Sequence, residues 1–432
     1  MRARALHARP RRRLVGVSAL LAAALVGVTL SGCSLDLERL RMASGVDAGV
    51  DASLTSDAGL DGGDAAIVDA SADLGRDAAR PDFGVCGASC GAMLFFGPPY
   101  SVGLPAIPVA VATGDVDGDL HPDVVVLAGD ALHVLGTTMA GRCRTGPLAV
   151  RLSISTIPGA IGISVADLGG DGDDDVAVVS AERVAVHSGG SPPGGSPLSS
   201  APLTALIAGG SGVVALESPP YVVVTSTSSD GRGLLRTFAL EPPLLRVASS
   251  TITPTALANP VRVVLSTGGM GVAATGVNEI VVYAIDAFGT ATQILDWSTR
   301  PASRLAGGDF NGDAQPDIAA NWTGGTDLQF AVLGTVTIDP VAGIVSALAA
   351  GNFNDDGTTD LVAIIGSAAL VYPVTGALVG TPVSLPMSGP NGIVTVADID
   401  GDGLDDVVTA AAGSASGNVV TVYPGACRGR GI

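Results

Sequence analysis

Five nine-residue segments of this chain follow one pattern, oxygen side chains at the first, third, fifth and ninth positions, four of them in full. Asp115, Asp117, Asp119 and Asp123 form the first, with His121 at position seven. Asp309, Asn311, Asp313 and Asp317 repeat the pattern around Gln315, and Asp398, Asp400, Asp402 and Asp406 repeat it around Leu404. In the segment Asn352, Asn354, Asp356, Thr358 and Asp360, amides replace two carboxylates. Asp167, Asp171, Asp173 and Asp175 surround Gly169, which leaves the third position without a ligand. Carboxylates and amides alternating along a tight turn aim several hard oxygens at one point. A main-chain carbonyl at position seven adds another, which is the coordination Ca2+ prefers. Mg2+ demands a smaller octahedron and keeps its water, so it fits less well. Glycine at position four or six permits the bend. Up to five Ca2+ sites are therefore expected, with affinities of about 10⁻⁴ to 10⁻³ M, as in extracellular modules.

Such loops need strands to hold them. Each is followed at once by a short apolar run (124–127, 176–179, 318–320, 361–364, 407–409), and four are preceded by one (109–113, 161–165, 346–350, 393–396). Apolar runs flanking a turn read as a hairpin. A further run follows the next turn, as at 131–135, 183–187, 369–372 and 419–423, so the unit is three or four short strands. Asp115 to Asp167, Asp309 to Asn352 and Asn352 to Asp398 are each separated by about 40–50 residues, a period that indicates a β-propeller. The interval from Asp167 to Asp309 holds about three such periods, which places two degenerate units in it. Their candidates are 203–240 and 261–285, with glycine-rich turns at 209–212 and 268–271 and no ligand set. The expected fold is all-β, a seven-bladed β-propeller with calcium-binding loops. The last unit lacks a fourth strand, and residues 92–101 supply an extra one, so the two ends of the domain should pair to close the ring.

The repeated acidic hairpin resembles the FG-GAP/VCBS repeat family, the propeller repeat of integrin α-subunits and of many bacterial surface proteins, over about residues 92–425. The resemblance implies that the acidic loop joins the first two strands of a blade and holds Ca2+. It implies blades without ions where the motif lapses.

The N-terminus reads as an address. An Arg-rich start, an apolar run over 14–30 and Leu30-Ser31-Gly32-Cys33 form a secretory signal. Its ending resembles the lipobox of bacterial lipoproteins, which implies lipidation of Cys33 and the membrane held through that lipid alone. By the same resemblance, Ser34 after the Cys favours the outer membrane, with the domain facing the periplasm or the cell surface. The domains expected are 1–32, the signal peptide; 33–85, an Asp/Ala-rich tether too polar to offset its chain entropy; and 86–432, the propeller. Four further cysteines, Cys86, Cys90, Cys143 and Cys427, form an even set in an oxidising compartment. Blade order puts Cys427 against one of Cys86 and Cys90, and Cys143 against the other. A four-Cys zinc site is disfavoured because exported proteins seldom keep thiolates reduced.

The net charge of −19 repels nucleic acid. No nucleophile motif accompanies His133 or His187, which read as blade residues, and no phosphate-binding loop is present. The function expected is a cell-envelope lipoprotein whose calcium-stabilised propeller binds a protein or glycan ligand and is not an enzyme. The alternative is a carbohydrate-active lyase or hydrolase on the same scaffold, which needs two carboxylates outside the ion loops in one pocket.

Overall fold

Runs such as Val124-Val125-Val126-Leu127 are apolar at every position, which suits a strand covered on both faces. In the computed structural model all four residues are fully buried. The structure describes residues 94–426, apart from 137–138, 141–142, 145–147, 191–197, 200–201, 243, 266–268, 299–300, 314–316, 323–326, 333–334, 341–343, 376–377, 391 and 414–416. The signal peptide, Cys33, the tether, Cys86, Cys90, Gln315 and Cys427 lie outside the described residues, as does the side chain of Cys143. Every regular element among the described residues is a strand.

Apart from two short hairpins, the strands form four-stranded antiparallel sheets, seven among the described residues. Sheet one comprises Pro108–Gly114, Asp123–Ala128, Ala131–Gly136 and Ala149–Ser155; sheet two comprises Ala160–Ala166, Asp175–Ser180, Arg183–His187 and Leu203–Leu206. Sheets three and four begin at Gly210–Glu217 and Ala258–Val264 and end at Leu244–Thr253 and Ala291–Ser298. Sheets five and six begin at Ala302–Gly308 and Val345–Gly351. Sheet seven takes Ile393–Ala397, Asp406–Ala412 and Asn418–Tyr423 from the end of the domain and Tyr100–Leu104 from its start. That last pairing runs in register from Tyr100 opposite Val422 to Leu104 opposite Asn418; the two ends pair as expected, but the closing strand is 100–104 rather than 92–101.

The sheets form a β-propeller. Each first strand contacts the first strands of the sheets before and after it, and sheet seven returns to sheet one. The core is divided in the same way. One apolar cluster joins sheets two and three through Val179, Val213 and Phe238, the next joins three and four, and another joins seven and one through Val126, Val408 and Val420. The remaining interfaces each hold a cluster of their own. A second strand packed between two neighbouring sheets has no solvent face, which is why these runs do not alternate.

The sequence boundaries of the third unit need correction. Leu203–Leu206 is the fourth strand of sheet two, paired with Arg183–His187. Gly210 and Gly212 are not turn residues but lie in the first strand of sheet three. A Cβ on Gly210 would stand 2.3 Å from the Ser180 carbonyl oxygen, and one on Gly212 would stand 2.3 Å from Pro260. Gly210 admits the neighbouring backbone and Gly212 the Pro260 ring; the turn itself lies at Ser218-Pro219.

Candidate functional site

All five acidic segments join the first strand of a sheet to the second, so they gather at one end of the ring. Their shape comes from the first aspartate, whose carboxylate collects main-chain N–H groups ahead of it. Asp398 accepts from Gly401 at 2.7 Å, Asp402 at 3.0 Å and Gly403 at 2.9 Å. Asp115 accepts from Asp119 and Leu120, and Asp309 from Gly312 and Asp313. Winding the backbone so tightly puts positions four and six in the left-handed region, as at Gly401 (φ 76°) and Gly403 (φ 89°). Leu120 occupies position six of the first loop at φ 68°, and its side chain is largely exposed. A non-glycine residue there costs about 1 kcal/mol, so Leu120→Gly is expected to raise the melting temperature. Calorimetry showing a fall would refute the strain.

The ninth position is buried in every loop: Asp123, Asp317, Asp360 and Asp406 have no exposed surface, and Asp175 has almost none. One oxygen pins the loop's second residue. The Leu168, Phe310 and Ile399 amides donate to Asp175, Asp317 and Asp406. The other oxygen reaches the chain after the third strand. Gly189 donates to Asp175, Val374 to Asp360 and Gly425 to Asp406. Burial, reinforced by the other loop carboxylates, pushes Asp175 up to about 6 and Asp317 and Asp360 up to about 7; Asp406 is raised well above the usual range for the same reasons.

Three carboxylates converge in two loops. Asp115, Asp117 and Asp123 bring oxygens within 4.8 Å of one another, as do Asp398, Asp400 and Asp406. In the fifth and sixth sheets an amide takes the third position and ties the fifth: Asn311 donates to Asp313 and Asn354 to Asp356. The Thr358 hydroxyl lies 2.6 Å from both the Asp356 carboxylate and the Val374 carbonyl, which compete for its one proton. His121 and Leu404 are buried at position seven. The Asp173 carboxylate is turned against Gly118 of the first loop and against Gly190. Burial lowers the pKa of both His133 and His187. His187 shares hydrogen bonds with the Ser199 carbonyl and Thr156, while His133 shares one with Ser153.

Two features escaped sequence reasoning. Arg151, on the fourth strand of sheet one, lays its guanidinium on the first loop, with Nη1 2.6 Å from Asp117, 3.8 Å from Asp119 and 4.0 Å from Asp123. The second is a reciprocal latch between neighbouring loops, made by position eight. The Asp115 amide donates to the Asp174 carboxylate at 2.7 Å, and the Asp174 amide donates back to the Asp115 carbonyl at 2.7 Å. Asn352 and Asp405 exchange the same pair at 2.6 and 2.9 Å, and Asp309 and Thr359 at 3.1 and 2.8 Å. The residue before each latched loop is glycine. A Cβ on Gly351 would stand 2.8 Å from Asp405 Oδ2 and 2.3 Å from Val396 Cγ1, and Gly114 and Gly308 are equally crowded. The two loops with alanine there, after Ala166 and Ala397, face a next sheet that offers no acidic loop or offers Pro122, which has no N–H. The alternation of glycine and alanine at this position is the sequence signal for the latch.

No protein-family model matches the chain, and no curated protein matches it in sequence. Among solved structures it is similar to BBS1N in complex with ARL6DN, from a lead-soaked crystal, with TM-score 0.54 and 11% identity over 76% of this chain and 96% of that one. The mercury-soaked crystal of the same complex gives TM-score 0.53 and 14% identity over 77% and 97%. Sqt1 of Saccharomyces cerevisiae gives TM-score 0.47 and 12% identity over 72% and 82%. The likeness to BBS1N concerns the fold, that of a β-propeller.

Proposed function

We propose that this protein is a cell-envelope lipoprotein whose propeller, of FG-GAP/VCBS type and braced by Ca2+ in its acidic loops, is a binding module for a protein or carbohydrate ligand. The observation that carries the calcium reading is a pair of orphaned oxygens. Asp317 Oδ1 and Asp360 Oδ2 are buried and accept no hydrogen bond. An unsatisfied buried carboxylate oxygen is costly, and a cation beside it removes the cost. The donor set is hard oxygen throughout, which suits Ca2+. Asp115, Asp117, Asp119 and Asp123 would hold it in the first loop, where Arg151 competes with it. Asp309, Asn311, Asp313 and Asp317 would do so in the fifth sheet, Asn352, Asn354, Asp356 and Asp360 in the sixth, and Asp398, Asp400, Asp402 and Asp406 in the seventh. The second loop, with Gly169 at position three, offers the poorest set.

With the ions serving the scaffold, recognition falls to other surfaces of the ring, where propellers present their variable loops. The complex of BBS1N with ARL6DN supports a protein ligand. Applying the full-length protein to arrays of envelope-derived peptides and of glycans, in calcium and in chelator, tests the module. Saturable retention on one class, weakened by chelator, is expected; no retention on either class in calcium would refute the reading.

A further inference from the structure

Arg151 is the residue that the fourth strand of sheet one leaves unpaired. Val150 stands opposite Leu135 and Leu152 opposite Val134, so Arg151 is the extra residue of a bulge. A bulge re-aims the side chain it carries. Sheets three and four have a similar bulge between their third and fourth strands, but the extra residues are Ala248 and Ile294, and neither sheet has an acidic loop. The same pairing runs without a shift in sheets two, five, six and seven. Sheet one alone therefore combines the bulge with an acidic loop.

Room for the guanidinium comes from the third strand. Gly136 ends it, and a Cβ there would stand 2.4 Å from Arg151 Nε, 2.6 Å from its Cζ and 2.7 Å from Asp123 Oδ1. At the corresponding position, sheets two, six and seven carry Ser188, Pro373 and Pro424. The side chains of Arg151 and Asp117 are 29% and 14% exposed, so solvent screens their 2.6 Å contact only in part. Asp117 meets Nη1 with Oδ2, while its Oδ1 is buried and accepts no hydrogen bond. One carboxylate is thus shared between the arginine and any cation that enters the loop. A Ca2+ bound to Oδ1 at about 2.3–2.6 Å would stand within roughly 7 Å of Nη1, less than a Debye length, and two positive charges that close repel.

We propose that Arg151 sets the calcium threshold of the first loop: its guanidinium is the loop's own cation when calcium is scarce, and Ca2+ enters only against it. This rests on the calcium reading of the loops and concerns the regulation of one of them. The first loop and the loop of sheet seven present the same four aspartates, yet they fill in two separated steps, with sheet seven first. Calcium-free protein keeps the first loop braced by an internal charge.

The test is a calcium titration of the full chain labelled with ¹⁵N-arginine, read by calorimetry and by the Arg151 Nε–H resonance. In the wild-type protein that resonance is expected to move only in the weakest step. Arg151→Gln should tighten that step by about tenfold or more and leave the others unchanged, whereas Arg151→Lys, which keeps the charge, should retain most of the weakness. Arg246→Gln removes an exposed charge paired with Glu241 and should change nothing. If Arg151→Gln fails to fold by circular dichroism, the lysine variant assigns the resonance and the step in which it moves decides. Movement of that resonance in the tightest step, unchanged or weaker binding in Arg151→Gln, or an equal gain from Arg246→Gln would overturn the proposal while leaving calcium in the other loops. No calcium binding in either wild type or Arg151→Gln would remove the calcium reading as well.

Discussion

Chelation of calcium is expected to lower the melting temperature of this protein by roughly 10 °C or more. A ligand that binds only the folded state contributes about 2.7 kcal/mol per site at one hundred times its dissociation constant. Each kcal/mol moves the midpoint of a domain of this size by about 1–2 °C. Several loops acting together therefore produce a large shift. The pH dependence should change as well. Without metal, Asp317 and Asp360 titrate near 7 and Asp175 near 6 in the folded protein, against an unfolded value near 3.8. The folded state then binds more protons than the unfolded state between these limits, so metal-free stability rises as pH falls from about 7 towards 4. Calcium should abolish that rise in its upper part by keeping the carboxylates ionised. Scanning calorimetry with and without chelator at several pH values reads both effects, and identical melting curves in the two conditions would remove calcium from the account.

The second large effect concerns the latch. Gly351→Ala is expected to destabilise the protein by about 3 kcal/mol, because the new Cβ meets Asp405 and Val396 and displaces the acceptor of the Asn352 amide. The equivalent position in sheet seven is Ala397, where Pro122 makes no latch, and Ala397→Gly should cost less than about 1 kcal/mol. Combining Gly351→Ala with Asp405→Ala should be less than additive, since the second change removes one of the two groups the methyl meets. Denaturant unfolding of Gly351→Ala, Asp405→Ala, their combination and Ala397→Gly checks this. Strict additivity, or equal effects at Gly351 and Ala397, would show that the glycine is not there to admit the neighbouring loop.

The propeller was readable because its chemistry repeats in step. Alternating oxygens at positions one to nine announce a turn, and the apolar run after Asp123 or Asp406 announces the strand behind it. The interval between Asp175 and Asp309 was readable only through its length, since no residue there performs a recognisable task. The error followed from that: Leu203–Leu206 resembles the opening strand of a new unit, and Gly210 and Gly212 resemble a turn when their role is to make room for the Ser180 carbonyl and the Pro260 ring. Position eight went unnoticed because its partner lies on the preceding sheet, 59 residues away for Asp174 and 53 for Asp405. Arg151 was hidden for a similar reason, reaching Asp117 from 34 residues further along the chain.

The strand Tyr100–Leu104 is made early and finds its partner late. Ser101 and Thr421, hydrogen-bonded across that pairing, are separated by 320 residues, so a growing polypeptide has nothing for this strand to zip onto until Asn418–Tyr423 has been made. Completing so distant a contact is slow. During the delay the waiting ribbon is an open template for another molecule's strand, which makes protection of the nascent chain a requirement of this topology.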